Sequence, residues 1–96
     1  MKTTEEYINL LHDYKQKHAT EYGIDRMGIF GSVARGEHAE NSDVDVYYEG
    51  DEKGLKSIRM IIDLEKLLGT RVDVIRKHNN LKPRFVERIM RDIIYV

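Results

Sequence analysis

The chain of 96 residues contains no cysteine. Disulfide frameworks, thiolate zinc sites and cysteine nucleophiles are therefore excluded. It has one proline, no low-complexity stretch and no linker long enough to divide it. No apolar run approaches the ~18 residues of a membrane span. The opening Met1-Lys2-Thr3-Thr4-Glu5-Glu6 lacks the basic-then-apolar order of a signal peptide. Neither charge sign is in excess: 17 acidic residues against 16 basic leave a formal charge of -1. Such a balance argues against bulk binding to a phosphate backbone, which normally shows a basic surplus. What remains is 41% hydrophobic residues, enough for one core, and 34% charged residues, enough for a solvated surface. The expectation is one domain spanning residues 1–96, soluble and cytoplasmic, with no membrane partner and no direct nucleic-acid partner.

Periodicity alternates between helix-like and strand-like segments. Thr3 or Thr4 opens a helix with Glu5 and Glu6 in its favourable first turn. Tyr7, Leu10, Leu11, Tyr14 and His18 give it one apolar face. Gly23 is its stop. Met27 to Phe30 reads as a short buried strand, and Val33 to Arg35 as one or two helical turns. Glu37 to Ser42 reads as a loop. Asp43 to Tyr48 alternates as a strand, with Val44 and Val46 opposite Asp43, Asp45 and Tyr47. Gly50, Asp51 and Gly54 mark a turn. Leu55, Ile58, Ile61, Ile62, Leu64 and Leu68 mark the buried side of a long helix that Gly69 ends. Arg71 to Arg76 is a strand with Asp73 between two valines. Pro83 fits the first turn of a last helix, whose apolar stripe is Phe85, Ile89 and Ile93. Tyr95-Val96 forms a short closing strand. The order α-β-α-β-α-β-α(-β) predicts an α+β, two-layer fold: a small mixed sheet packed with helices.

Three pieces of this pattern carry chemistry. Asp43 and Asp45, two apart on one strand, share a face and repel each other. Aspartate is also depleted in strands. The bland reading is a solvent-facing strand; the functional one is a seat for a hard divalent cation, since Mg²⁺ takes one or two carboxylates together with substrate phosphates. Asp73, in a second strand, reads alone as a solvent-face residue. If the strands are neighbours it joins the first two aspartates, and a three-carboxylate metal clamp serves in-line phosphoryl or nucleotidyl displacement. Gly31-Ser32, after a strand and at the start of a helix, allows close backbone approach and offers N–H groups to an anion. Arg35, one turn on, can fork onto phosphate oxygens, and Gly36 releases the chain. No Gly-Lys-Ser/Thr follows, so this is not a Walker loop. The spacing of Gly28, Gly31 and Gly36 does not match a dinucleotide fingerprint.

Gly31-Ser32-x-x-Arg35-Gly36, Ser42-Asp43-x-Asp45 and Val72-Asp73-Val74, in this order, resemble the nucleotidyltransferase superfamily of DNA polymerase β. The chain is most similar to the minimal nucleotidyltransferases, the MNT half of HEPN–MNT toxin–antitoxin pairs. The likeness extends to Leu67-Leu68-Gly69, to Leu81-Lys82-Pro83 and to the ending Ile93-Ile94-Tyr95-Val96. It implies that Gly31, Ser32, Arg35 and Gly36 hold the nucleotide triphosphate. It further implies that Asp43, Asp45 and Asp73 are catalytic, that Asp43 and Asp45 bind two Mg²⁺ ions, and that Asp73 completes the metal site and helps to activate an acceptor hydroxyl. The implied reaction moves AMP from ATP to a hydroxyl, a tyrosine, of a partner HEPN toxin, and so makes the chain its antitoxin. Larger nucleotidyltransferases add a domain to hold the acceptor; a chain of this size leaves that surface to the acceptor. Neutralisation by occlusion without catalysis, and transfer to a small molecule, are the alternative readings. Tyr47 and Tyr48 depart from the aliphatic residues usual after the Asp-x-Asp. Tyr47 either borders the nucleotide or covers the sheet, the second being favoured. None of the four histidines, at positions 12, 18, 38 and 78, has a metal-binding spacing; His38, in the loop beside the aspartates, is a conceivable nucleotide contact. Arg71, Arg76, Lys77, Lys82, Arg84, Arg88 and Arg91 gather positive charge late in the chain, as a solvated helix face or as a docking surface.

Overall fold

The first helix is fixed at both ends by local chemistry. The Thr3 hydroxyl accepts the Glu6 N–H at 3.1 Å while the Thr3 N–H donates to Glu6 Oε1 at 3.0 Å, a reciprocal capping box. Gly23 stops the helix in the left-handed region at φ 66°. The computed structural model describes residues 2–51 and 55–96, with the side chains of Leu55 and Lys56 excepted. Gly54 as a turn residue, and Leu55 as a buried one, lie outside the described residues. The elements run α1 (Thr4–Tyr22), β1 (Ile24–Phe30), α2 (Gly31–Arg35), β2 (Val44–Gly50), α3 (Leu55–Leu68), β3 (Val72–Arg76), α4 (Pro83–Asp92) and β4 (Ile94–Tyr95). The mixed α+β architecture with four helices is the one expected.

The sheet order is β3-β2-β1-β4. β1 pairs antiparallel with both β2 and β4, whereas β2 and β3 are parallel. A parallel pair needs a crossover, and α3 supplies it. β1 begins at Ile24 rather than Met27, because pairing with β2 continues back to Ile24 opposite Gly50, across a shift in register. β2 begins at Val44, so Asp43 stands just before the strand instead of on it. The last strand is Ile94–Tyr95, one residue earlier than expected; the Val96 N–H still donates to the Met27 carbonyl at 2.9 Å.

Strand alternation sorts the side chains into two clusters. On one face Met27, Ile29, Val44, Val46 and Tyr48 pack with Leu11, Met60, Leu64 and Leu68 from α1 and α3. Each fully buried aliphatic here stabilises the fold by roughly 1.5–3 kcal/mol relative to exposure. The other face is smaller: Phe30, Tyr47 and Ile89, flanked by Ile75, Phe85 and Ile93. Tyr47 is thus buried sheet cover, its hydroxyl donating to Glu49 Oε2 at 2.8 Å. α3 corrects the expected stripe. Met60, Leu64 and Leu68 are buried, while Ile58 and Ile62 are exposed. α4 starts with Pro83 in its first turn and covers only part of the second face, leaving a cleft beside it.

Candidate active site

The cleft lies where the ends of β1 and β2 meet α2, β3 and α4. Its volume is about 560 Å³. Gly31, Ser32 and Arg35 line it from α2, Asp45 and Asp73 from the strands, and Phe85, Arg88, Arg91 and Asp92 from α4. Phe30 and Phe85 form its apolar wall, their rings edge-to-face at 6.3 Å between centroids.

The floor follows from register. β2 and β3 run parallel with Asp45 opposite Asp73. Residues paired across a ladder carry their side chains to the same face, so two carboxylates from distant parts of the chain stand side by side. Asp45 is half-buried, and its pKa is raised, by burial first and then by the negative charges of Asp73 and Asp43; Arg35 partly counters this. Asp43, displaced from the strand, is more exposed and pairs with Arg71, its Oδ1 at 3.3 Å from the Arg71 Nε. It does not line the cleft. Among the described residues no three His, Asp or Glu side chains converge as a metal cluster. Of the three aspartates expected to form a clamp, Asp45 and Asp73 line the cleft and Asp43 does not.

The wall opposite is α2. Gly31 has φ 75°, the left-handed region, and a Cβ there would collide with Asp45 Oδ2. Glycine is thus required both by the turn and by the carboxylate beside it. No side chain caps α2, so no capping group competes with an anion for its first N–H groups. With only five residues the helix adds little macrodipole; its contribution is the N–H groups themselves. The Ser32 hydroxyl has no hydrogen-bond partner among the described residues. Thr4 steadies α2 by donating its hydroxyl to the Val33 carbonyl at 2.6 Å. Gly36 ends α2 at φ 71° and does not line the cleft; its role is to turn the chain.

Arg35 lines the cleft but is engaged. Its Nε donates to Glu37 at 2.9 Å and its Nη1 to Asp92 at 2.6 Å. The latter pair ties α2 to the end of α4. His38 is not in the site: its Nε2 lies 2.8 Å from the Lys2 carbonyl and its ring packs against Tyr7. A carbonyl only accepts, so Nε2 carries the proton, and the buried Nδ1 has no partner among the described residues.

The sequence did not single out Phe85, Arg88, Arg91 or Asp92 for this cleft. Phe85, Arg88 and Asp92 recur at spacings of three and four, so one face of α4 meets it. That spacing was the available signal, but it reads equally as a solvated basic face.

The donors at the floor are oxygens only, held where like charges crowd a half-buried carboxylate. Their chemistry fits a hard divalent cation. Among the described residues no helix is long and apolar enough to cross a membrane.

The nucleotidyltransferase domain family model matches residues 10–96. The protein adenylyltransferase MntA of Thermococcus cleftensis is 38% identical over 98 residues, covering 100% of this chain and 98% of its own. A Methanocaldococcus jannaschii protein provisionally named a protein adenylyltransferase is 38% identical over 100 residues, with both chains fully covered. Among solved structures, one provisionally described as a minimal nucleotidyltransferase superimposes with a TM-score of 0.78 at 34% identity, covering 97% of this chain and 95% of that one. A mutant MntA–HpeT toxin–antitoxin structure shares the fold, with a TM-score of 0.67 at 16% identity, over 98% of this chain and 72% of that one.

Proposed function

The chain belongs to the nucleotidyltransferase domain family and is an enzyme of that type, and from this premise we propose that it transfers AMP from ATP to a tyrosine hydroxyl of a HEPN-type toxin, as that toxin's antitoxin. The observation that carries the reading is the pairing of Asp45 with Asp73 across parallel strands, facing Gly31 and Ser32 over one cleft. The full-length similarity to protein adenylyltransferases supports AMP as the group and a protein as the acceptor. The toxin partner rests on the shared fold with a toxin–antitoxin structure and on the sequence resemblance. We read residues 1–96 as one minimal nucleotidyltransferase domain working in the cytoplasm, where ATP is at hand.

In this mechanism Ser32 and the first N–H groups of α2 receive the phosphate chain. Asp45 and Asp73, with Asp43 swinging from Arg71, would hold two Mg²⁺ ions. When bound, these neutralise phosphate charge and lower the pKa of an acceptor oxygen. Asp73 takes the proton of the acceptor hydroxyl. The hydroxyl oxygen attacks the α-phosphorus in line, a new P–O bond forms, the α–β bridging P–O bond breaks, and pyrophosphate leaves. Gly31 keeps the wall close enough for Asp45 and the phosphate to share one space.

The test is to incubate the protein with labelled ATP, Mg²⁺ and the HEPN protein encoded beside its gene, then map the product by mass spectrometry. AMP should appear on a toxin tyrosine, and Asp43→Ala with Asp45→Ala should reduce the rate at least ~10²-fold, as losing a transition-state electrostatic group does. A toxin that gains no mass, or a double variant with full activity, would overturn the reading.

A further inference from the structure

Three arginines line the cleft: Arg35, Arg88 and Arg91. They are not equivalent. Arg35 spends its guanidinium on Glu37 and Asp92. Arg88 and Arg91 are exposed and form no hydrogen bond or ion pair with any described residue. They sit three apart on α4, so their side chains stand side by side, one helical turn along. Gly31, Ser32, Asp45 and Asp73 line the same cleft.

A nucleoside triphosphate brought to this cleft meets a problem of charge. Its phosphates are anionic, and so are the two carboxylates of the floor. Cations on the carboxylates neutralise the reacting end of the phosphate chain. The distal phosphates need positive charge that is not already committed. Arg35 offers little, because each of its ion pairs would have to break first. Arg88 and Arg91 have no partner to lose among the described residues, and a guanidinium fork fits two phosphate oxygens at once.

We propose that Arg88 and Arg91 bind the β- and γ-phosphates of the nucleotide, the part that departs as pyrophosphate. Arg35, through Asp92, is a positioning residue that sets where the last turn of α4 stands. This assignment rests on the nucleotidyltransferase reading and specifies its substrate site. It also places the phosphate-binding charge on the last helix, nearly sixty residues from the Gly-Ser turn to which the motif draws attention.

The experiment is calorimetric titration of the full chain, in Mg²⁺, with α,β-methylene-ATP and separately with AMP. The analogue carries the distal phosphates and cannot transfer AMP. The Arg88→Gln/Arg91→Gln protein should lose on the order of 10- to 100-fold in analogue affinity. Its AMP affinity should change by less than about twofold, the ordinary scatter of surface substitutions. Arg88→Lys/Arg91→Lys, which keeps the charge without the fork, should recover part of the loss and serves as the folded comparison if the glutamine protein melts early. Equal analogue binding by wild type and the glutamine variant would overturn the assignment while leaving the nucleotidyltransferase reading intact. A loss that falls equally on AMP would also overturn it. If the wild-type chain binds neither nucleotide, both the assignment and the reading beneath it fail.

Discussion

Asp45 shows the conflict between stability and chemistry within one side chain. Its carboxylate is half-buried and faces Asp73 and Asp43, and its pKa is raised by burial first and by those charges second. A carboxyl that holds its proton more tightly in the folded than in the unfolded chain favours the fold at low pH. That contribution is lost as pH rises through the folded value, and at neutral pH the ionised group is a net cost. Asp45→Asn should therefore stabilise the metal-free protein at pH 7. Because the site is open to solvent, the gain is less than about 1 kcal/mol, a few degrees in Tm at most. The gain should disappear below the ordinary aspartate range of about pH 4, where wild-type Asp45 is protonated too. Thermal melts in EDTA at both pH values check this; a variant that melts earlier than wild type at pH 7 would show that the carboxylate serves structure. Gly31 belongs to the same compromise, since only a residue without Cβ fits both φ 75° and the approach to Asp45. These residues were legible from their types and spacing. Asp43 was less so: its place just before β2, in the company of Arg71, depends on where strand pairing starts.

At the scale of elements, α3 shows how far periodicity carries. Its apolar residues are numerous enough to support two stripes. One runs through Ile58 and Ile62; the other runs through Met60, Leu64 and Leu68. The structure buries the second against α1 and the sheet. Hydrophobicity alone cannot choose between them, because both recur at helical spacing. Leu64→Ala should cost about 2–5 kcal/mol, as cavity-forming substitutions do. Ile62→Ala should stay within about 0.5 kcal/mol, as expected of an exposed site. Urea denaturation of the two variants reads the difference directly, and equal losses would mean that the helix is rotated from the orientation described. α4 carries the same ambiguity with more consequence. Its residues Arg88 and Arg91 read as solvated charge along the chain, and only the docking of the helix beside β1 and α2 brings them to the cleft.

For the molecule as a whole, the cleft is lined by elements that are distant along the chain. α2, the β2–β3 floor and α4 meet around it, and within its lining the direct ion pair is Arg35 with Asp92. A ligand that touches all three should act as a brace. With Mg²⁺ and α,β-methylene-ATP at a hundred times the dissociation constant, linkage predicts about 2.7 kcal/mol of added stability. For a domain of this size that is on the order of 10 °C in Tm. Mg²⁺ alone should give much less, and the Asp43→Ala/Asp45→Ala protein almost none. Differential scanning fluorimetry is sufficient to measure this; an equal shift in the double variant would place the ligand elsewhere. The opening balance of charge also takes on structure at this scale. A net charge of -1 conceals a local arrangement in which carboxylates form a floor and guanidiniums a wall. The sequence by itself determined the order of elements, the helix caps, the Gly-Ser turn and the aspartates, because each depends on backbone preference or on residues close along the chain. Only the tertiary structure decided which stripe of α3 is buried, that Arg35 is ion-paired while Arg88 and Arg91 have no partner among the described residues, and that His38 stands apart. Those outcomes turn on how rigid elements dock against one another, and no local pattern carries the angle at which a helix meets a sheet.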